Sequence, residues 1–310
     1  MLTKGDPMKF SVLGTKAGGP PVLGKNFAST LLWLHQGYIL FDCGEGTQYR
    51  LLELGISWNA IKVICISHFH GDHLWGLLPL LSACCSTQRK TPLTIIAPQG
   101  IQSYVEQSAL LSGMTFPFTI EYHELPRHYS AVVGNFSGCR ITATMVDHRI
   151  DSFGFRIDFP VHYNIDMETL KKYGFEEGAL IGTLKSEGHI YHPETGDIVY
   201  LSDVLIHPPV NESFVYCGDT RPCAAEIDLA RHATVLVHEA TFLHQHVMAA
   251  HEKHHTTARQ AAEIALQSCV SQLWITHISN RYPHSTMLLE EARSVFPQTY
   301  LAKEMECVEV

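Results

Sequence analysis

Ser67-His68-Phe69-His70-Gly71-Asp72-His73 sets three imidazoles and a carboxylate directly after the apolar run Val63-Ile64-Cys65-Ile66. Imidazole nitrogen and carboxylate oxygen are the donors that zinc and similar divalent ions prefer. A strand over 63–67 places His68 at the start of the loop at its C-terminal end. His68 and His70 then point one way by alternation, and Gly71 lets the chain turn to present Asp72 and His73 to a neighbouring point. Such an arrangement suits two adjacent metal ions better than one.

Reading outward, the runs 28–34 and 38–41 form paired strands around His35-Gln36-Gly37, and Asp42-Cys43-Gly44 closes the second. Helices are expected over 49–54, 74–82 and 101–111, with a strand over 93–97. Strand–loop–helix units in series predict a layered α/β architecture. A β meander follows between 118 and 158. From 159 to 209 the pattern changes to one short helix, 166–172, within Gly-, Glu- and His-rich sequence, which reads as an insertion projecting from the core. Strands resume at 214–217, 234–237 and 273–276, with helices over 258–267 and 286–295. The stretch Ile39-Leu-Phe-Asp-Cys-Gly-Glu-Gly-Thr47 echoes Phe214-Val-Tyr-Cys-Gly-Asp-Thr-Arg221, each an apolar strand ending in a Gly/acid turn, as in a doubled fold.

A hydrophobic fraction of 45% and a charged fraction of 17% over 310 residues describe a globular chain with ample core. The net charge of −9 offers no global basic surface to nucleic acid, although bound dications would add local charge that this count omits. Nine cysteines without a CxxC pair exclude a zinc ribbon or thioredoxin motif and suit a reducing cytoplasm. The first residues lack the apolar core of a signal peptide, and the uncharged stretch 74–85 is too short to span a bilayer. The expectation is a cytoplasmic protein with no membrane segment.

Further candidate ligands follow apolar runs: His148 after 141–146, Asp219 after 214–217 and His277 after 273–276. Loops at strand ends are where the sites of α/β folds collect. His68-x-His70-x-Asp72-His73 is the signature of the metallo-β-lactamase superfamily. Phe41-Asp-Cys-Gly-Glu-Gly-Thr-Gln48, Gly218-Asp-Thr-Arg-Pro222, Val237-His-Glu-Ala-Thr-Phe242, Thr276-His-Ile-Ser-Asn-Arg-Tyr282 and His255-Thr-Thr-Ala-Arg-Gln-Ala261 more specifically resemble blocks of the ribonuclease Z (tRNA 3′-processing endoribonuclease) family.

The resemblance implies an α/β fold, the metallo-β-lactamase αβ/βα four-layer sandwich, as a single domain over 1–310 with an inserted arm at 160–209. It implies two Zn2+ ions, one on His68, His70 and His148, the other on Asp72, His73 and His277, with Asp219 bridging; Mn2+, Co2+ or Fe2+ also suit these donors. Asp42 would support the ligand loops through hydrogen bonds. Asp72 would orient and deprotonate the attacking water, and His255, held by Glu239, would protonate the leaving ribose oxygen, with His254 as the competitor for that place. The implied substrate is precursor tRNA, gripped by the arm of a homodimer. The arm departs from the family pattern: Phe175-Glu-Glu-Gly-Ala-Leu-Ile-Gly182 has alanine at 179 where proline is expected and two adjacent glutamates, against Lys171, Lys172 and Lys185. Acidic character weakens phosphate contacts, so the alternative keeps the metals and assigns a small-molecule phosphodiester or other ester as substrate. His123, His128, His162, His189, His192, His207, His238, His244, His246, His251 and His284 read as structural.

Overall fold

The computed structural model describes residues 7–161, 163–175, 179–192, 194–206 and 211–310. His162, His207 and the arm's Glu176 and Glu177 lie outside them. The strands are β1 (Lys9–Gly14), β2 (Ser29–Leu34), β3 (Gly37–Phe41), β4 (Ile61–Cys65), β5 (Leu93–Pro98), β6 (Ile120–Leu125), β7 (Ser130–Phe136), β8 (Cys139–Val146), β9 (Ser152–Asp158), β10 (His189–Tyr191), β11 (Ile198–Tyr200), β12 (Ser213–Cys217), β13 (Val235–Glu239), β14 (Gln272–Thr276), β15 (Thr299–Leu301) and β16 (Val308–Glu309). Among the described residues, one large sheet has the order β16-β1-β2-β3-β4-β5-β6 and the other β15-β14-β13-β12-β9-β8-β7. The central strands of both read as apolar runs because both faces of each sheet are covered.

One face of the first sheet packs on helices α1 (Thr47–Glu53), α3 (Leu77–Ser86) and α4 (Ile101–Ser112), through Leu31, Leu40, Ile64, Ile95, Leu77 and Val105. The second sheet does the same with α7 (Ala224–Ala230), α9 (Ala258–Gln267) and α10 (Thr286–Arg293). Helix α9 shows why: Ala258, Ala261, Ala262 and Ala265 recur at helical spacing on one buried face, and Thr257 caps the start by accepting from the Gln260 amide. Between the sheets the inner faces meet through aromatic rings. Phe41 lies 5.5 Å from Phe214 and 5.2 Å from Tyr216, both stacked, while Phe10 meets Trp274 edge-on at 5.2 Å. The order helix–sheet–sheet–helix is the expected four-layer sandwich.

Three sequence expectations need correction. The strand before the opening motif ends at Cys65, because the Ser67 amide donates to Asp42 Oδ1 at 2.7 Å and leaves the ladder. The helix expected over 74–82 is divided into α2 (Gly71–Leu74) and α3. Gly76 marks the break, where its amide donates to the Cys43 carbonyl and a Cβ would come within 2.0 Å of the Gly44 oxygen. Helices α7 and α8 (Val247–Lys253) and strands β15 and β16 carry too little periodicity to be read from the sequence.

Residues Phe159–Glu212 form a compact unit distinct from the rest. Within it α5 (Met167–Lys172), capped by Asp166, α6 (Ala179–Glu187) and the hairpin β10–β11 enclose Leu170, Phe175, Leu184, Ile190, Val199 and Val204. Far along the chain, Glu304 accepts hydrogen bonds from Thr15 and Asn26, fixing both ends of the Gly/Pro-rich loop between them, while β16 adds to the edge of β1. Phe41 is fully buried between the sheets, so Phe41→Ala should cost about 3–5 kcal/mol in denaturant unfolding, whereas truncation of the exposed Leu110 should stay within about 0.5 kcal/mol.

Candidate metal centre

The ends of β4, β8, β12 and β14 deliver one cluster. His68 Nε2 lies 2.9 Å from His70 Nδ1, which lies 3.2 Å from His148 Nε2. Beside them, His73 Nε2 is 3.3 Å from His277 Nε2 and 3.5 Å from Asp72 Oδ2, and His277 Nε2 is 3.4 Å from the same Asp72 oxygen. Asp72 and His73 reach this point from the short helix α2, and His277 from a left-handed residue (φ 56°) just past β14. Asp219 lies between the two groups. Its Oδ2 faces His68 at 3.7 Å and His148 at 4.0 Å, and its Oδ1 faces His73 at 3.4 Å and His277 at 3.2 Å. All seven predicted ligands are thus brought together.

Hydrogen bonds behind the cluster fix which nitrogen of each ring points inward. Asp42, also left-handed (φ 55°) at the end of β3, accepts from His73 Nδ1 at 2.7 Å, from the Ser67 hydroxyl at 2.9 Å and from Tyr216 at 2.7 Å. With its proton committed to Asp42, the Ser67 hydroxyl accepts from His68 Nδ1 at 2.9 Å. His148 Nδ1 donates to the His254 carbonyl at 2.8 Å. Thr241 donates to Glu239 and accepts from His277 Nδ1 at 3.0 Å. Each of these four rings therefore turns its Nε2 to the interior.

The electrostatics follow from burial and crowding. Burial lowers the pKa of His68 and His70, and brings His148 down to about 4. At His73 burial opposes the charge, but Asp219, Asp42 and Asp72 outweigh it and raise the pKa. Burial would likewise neutralise Asp219, yet His277, His73 and His255 hold it ionised. Asp219 Oδ1 is buried without a hydrogen-bond donor. A carboxylate oxygen in that state is costly unless a cation meets it. The donors of the first group with Asp219, and those of the second group, lie within 4.8 Å of one another, spacing that fits divalent ions.

Glu239 is buried beside this cage and fully engaged. Oε1 accepts from the Thr220 amide at 3.0 Å and from His255 Nδ1 at 2.8 Å, while Oε2 accepts from the Thr241 amide and hydroxyl. Burial opposes a charge on His255, but Glu239 and Asp219 raise its pKa to about 9. His254 pairs instead with Asp147 at 3.3 Å and serves His148 through its carbonyl. Ser67, Tyr216 and Thr241 escaped the sequence reading. Neutral hydroxyls carry no spacing signature, although Thr241 stands within the quoted His-Glu-Ala-Thr block. His238 lies behind the site, donating to Glu226 at 2.9 Å and to the Glu239 carbonyl at 2.6 Å.

A family model described as anti-Pycsar protein Apyc1 matches residues 8–179. A ribonuclease Z of Crocosphaera subtropica is 34% identical over 313 residues, covering 98% of this chain and 98% of its own. The crystal structure of human tRNase Z, short form, shares the fold with a TM-score of 0.71 at 23% identity, covering 98% of this chain and 99% of that one. The metallo-β-lactamase fold protein YhfI from Bacillus subtilis does so with a TM-score of 0.67 at 18% identity, covering 98% and 100%. The fold is accordingly the metallo-β-lactamase fold.

Two measurements test the support of this cluster. Asp42→Asn presents an amide where three donors converge, and should weaken metal binding about 10–100-fold in competition with a chromophoric chelator, with circular dichroism unchanged. Burial opposes the charge on His238, but its hydrogen bond to Glu226 raises the pKa. A raised folded value means that the pair's stabilisation is complete below about pH 6.5 and is lost as pH climbs through that raised value. The stability gap between parent and Glu226→Gln in denaturant unfolding should therefore be widest near about pH 6 and narrow in alkali.

Proposed function

The chain belongs to the ribonuclease Z family and, by its residues 8–179, to that of the anti-Pycsar protein Apyc1, and on this premise we propose that it is a metal-dependent endoribonuclease removing 3′ trailers from precursor tRNA. The observation that carries the reading is the Glu239–His255 pair set beside two donor groups with Asp219 facing both. His68, His70 and His148 would hold one Zn2+ and Asp72, His73 and His277 the other, with Asp219 between. Bound there, such ions would make water nucleophilic near neutral pH and stabilise charge developing on the phosphate oxygens.

The chain's own groups account for the rest. Asp72 orients the attacking water and takes its proton. As the bond from phosphorus to the ribose 3′-oxygen breaks, that oxygen needs a proton. His255, whose Nδ1 is committed to Glu239, supplies one from Nε2. The products are a tRNA 3′-hydroxyl and a trailer bearing a 5′-phosphate. Glu239 acts through His255, fixing its tautomer and stabilising its charge.

The arm, 160–209, is proposed to grip the tRNA body within a homodimer, and the nine free cysteines support a reducing cytoplasmic location. No helix among the described residues is long and apolar enough to cross a membrane. One observation favours a second reading, a small-molecule phosphodiesterase or ester hydrolase: from Phe159 to Glu212 nine acidic residues face three lysines.

A single set of assays separates these. Chelation should abolish cleavage of a 3′-extended precursor tRNA, and zinc should restore it. His255→Ala should keep its metals and lose about 10²–10⁴-fold in kcat. Deleting 166–208 should abolish tRNA cleavage while sparing bis-p-nitrophenyl phosphate; turnover of the small ester alone in the parent would establish the second reading.

A further inference from the structure

The protein carries eleven arginines against a net charge of −9. Most are committed. Arg221 makes a bidentate pair with Asp147, Arg89 donates to four backbone carbonyls, and Arg50, Arg127, Arg140, Arg156, Arg231 and Arg259 each meet a carboxylate, while Arg293 donates to the Thr299 carbonyl. Arg149 and Arg281 differ. Both are exposed, and among the described residues neither guanidinium reaches a carboxylate or carbonyl oxygen.

Both also stand beside the metal centre. Arg149 directly follows the candidate ligand His148, in the loop leaving β8. Arg281 comes four residues after His277, and its guanidinium lies 4.6 Å over the Phe242 ring. Phe242 is 6.0 Å from the His255 ring, which is 5.6 Å from that of His277. Stacking on Phe242 pre-orients the Arg281 fork while leaving its donors free. An acidic chain holding two unpaired guanidiniums at its reaction centre is arranged for an anion beyond the one the metals would take.

We propose that Arg149 and Arg281 form two phosphate subsites, one beside each metal-donor group, so that the site takes a polynucleotide strand through the phosphates on either side of the scissile one. The inference rests on the phosphodiesterase reading given above. His255 stands at the leaving 3′-oxygen, so Arg281 contacts the phosphate 5′ to that ribose, on the tRNA side. Arg149 contacts the first phosphate within the trailer. Bidentate guanidinium–phosphate contacts give the strand its register, which the acidic arm does not supply.

The test compares Arg149→Ala, Arg281→Ala and their lysine counterparts on three substrates: bis-p-nitrophenyl phosphate, precursor tRNA with a one-nucleotide trailer, and precursor tRNA with a longer trailer. Arg281→Ala should raise KM about tenfold on both tRNAs, the size of one charge-assisted contact. Arg149→Ala should do so only with the longer trailer, because a one-nucleotide trailer lacks the phosphate it binds. Both should leave bis-p-nitrophenyl phosphate turnover within about twofold of the parent, and lysine should restore part of the loss. Each lost contact should flatten the salt dependence of log kcat/KM by about 0.7. Loss of bis-p-nitrophenyl phosphate turnover in either variant, or an Arg149→Ala effect independent of trailer length, overturns the proposal. A parent that hydrolyses the small ester but no tRNA defeats the substrate reading instead, and the same variants on oligoribonucleotides of increasing length then decide the subsites.

Discussion

Asp42 is a carboxylate with almost no freedom. It is fully buried at the end of β3, in a left-handed conformation unusual for a residue with a side chain, and accepts from the Ser67 amide, the Ser67 hydroxyl, His73 and Tyr216. Ser67 and His73 belong to the ligand loop after β4, and Tyr216 to β12 of the opposite sheet. A buried ion is tolerated only when its lone pairs are used. Satisfying this one therefore fixes the distance between the sheets, terminates β4 and turns His73 and, through Ser67, His68 with their Nε2 atoms inward. Asp219 is its counterpart at the end of β12, but keeps an oxygen unpaired. The faint sequence echo between the two strand ends thus corresponds to two carboxylates with opposite tasks, one saturated by donors and one arranged to receive a cation.

Much of this was legible in the chain because charged and ligating side chains are scarce at the ends of apolar runs. His148, Asp219 and His277 stood out for that reason, as did the density of the opening heptad. What escaped has a physical cause. Thr241, Ser67 and Tyr216 act through single hydroxyls, which occur throughout any sequence. The early end of β4 results from a tertiary hydrogen bond to Asp42, 25 residues away in sequence, which no local pattern encodes. The different partners of His254 and His255 follow from a left-handed turn at His254, which sends the first imidazole to Asp147 and the second to Glu239. In the arm, α6 and the β10–β11 hairpin are short, and only one strand residue of each three faces their small core, so periodicity had little to register.

Charge divides the molecule by task. The inserted unit carries nine acidic residues against three lysines, and its final stretch from Ser186 to Glu212 contains neither lysine nor arginine. The candidate metal donors lie instead at the ends of β4, β8, β12 and β14. A chain of net charge −9 offers a polyanion little attraction over its surface as a whole, which limits non-specific retention of nucleic acid.

Glu304 closes the loop that begins at Thr15, across 289 positions of sequence. That loop lies against the reaction centre, since a Cβ on Gly18 would come within 3.2 Å of Asp72 Oδ2. Chains leave the ribosome from the N-terminus onward, so both this clasp and His277 emerge when most of the protein is already outside. A nascent chain that stops short of His277 lacks one of the seven candidate donors. The loop beside Asp72 can therefore take its final position only once residues near the far end of the sequence are in place.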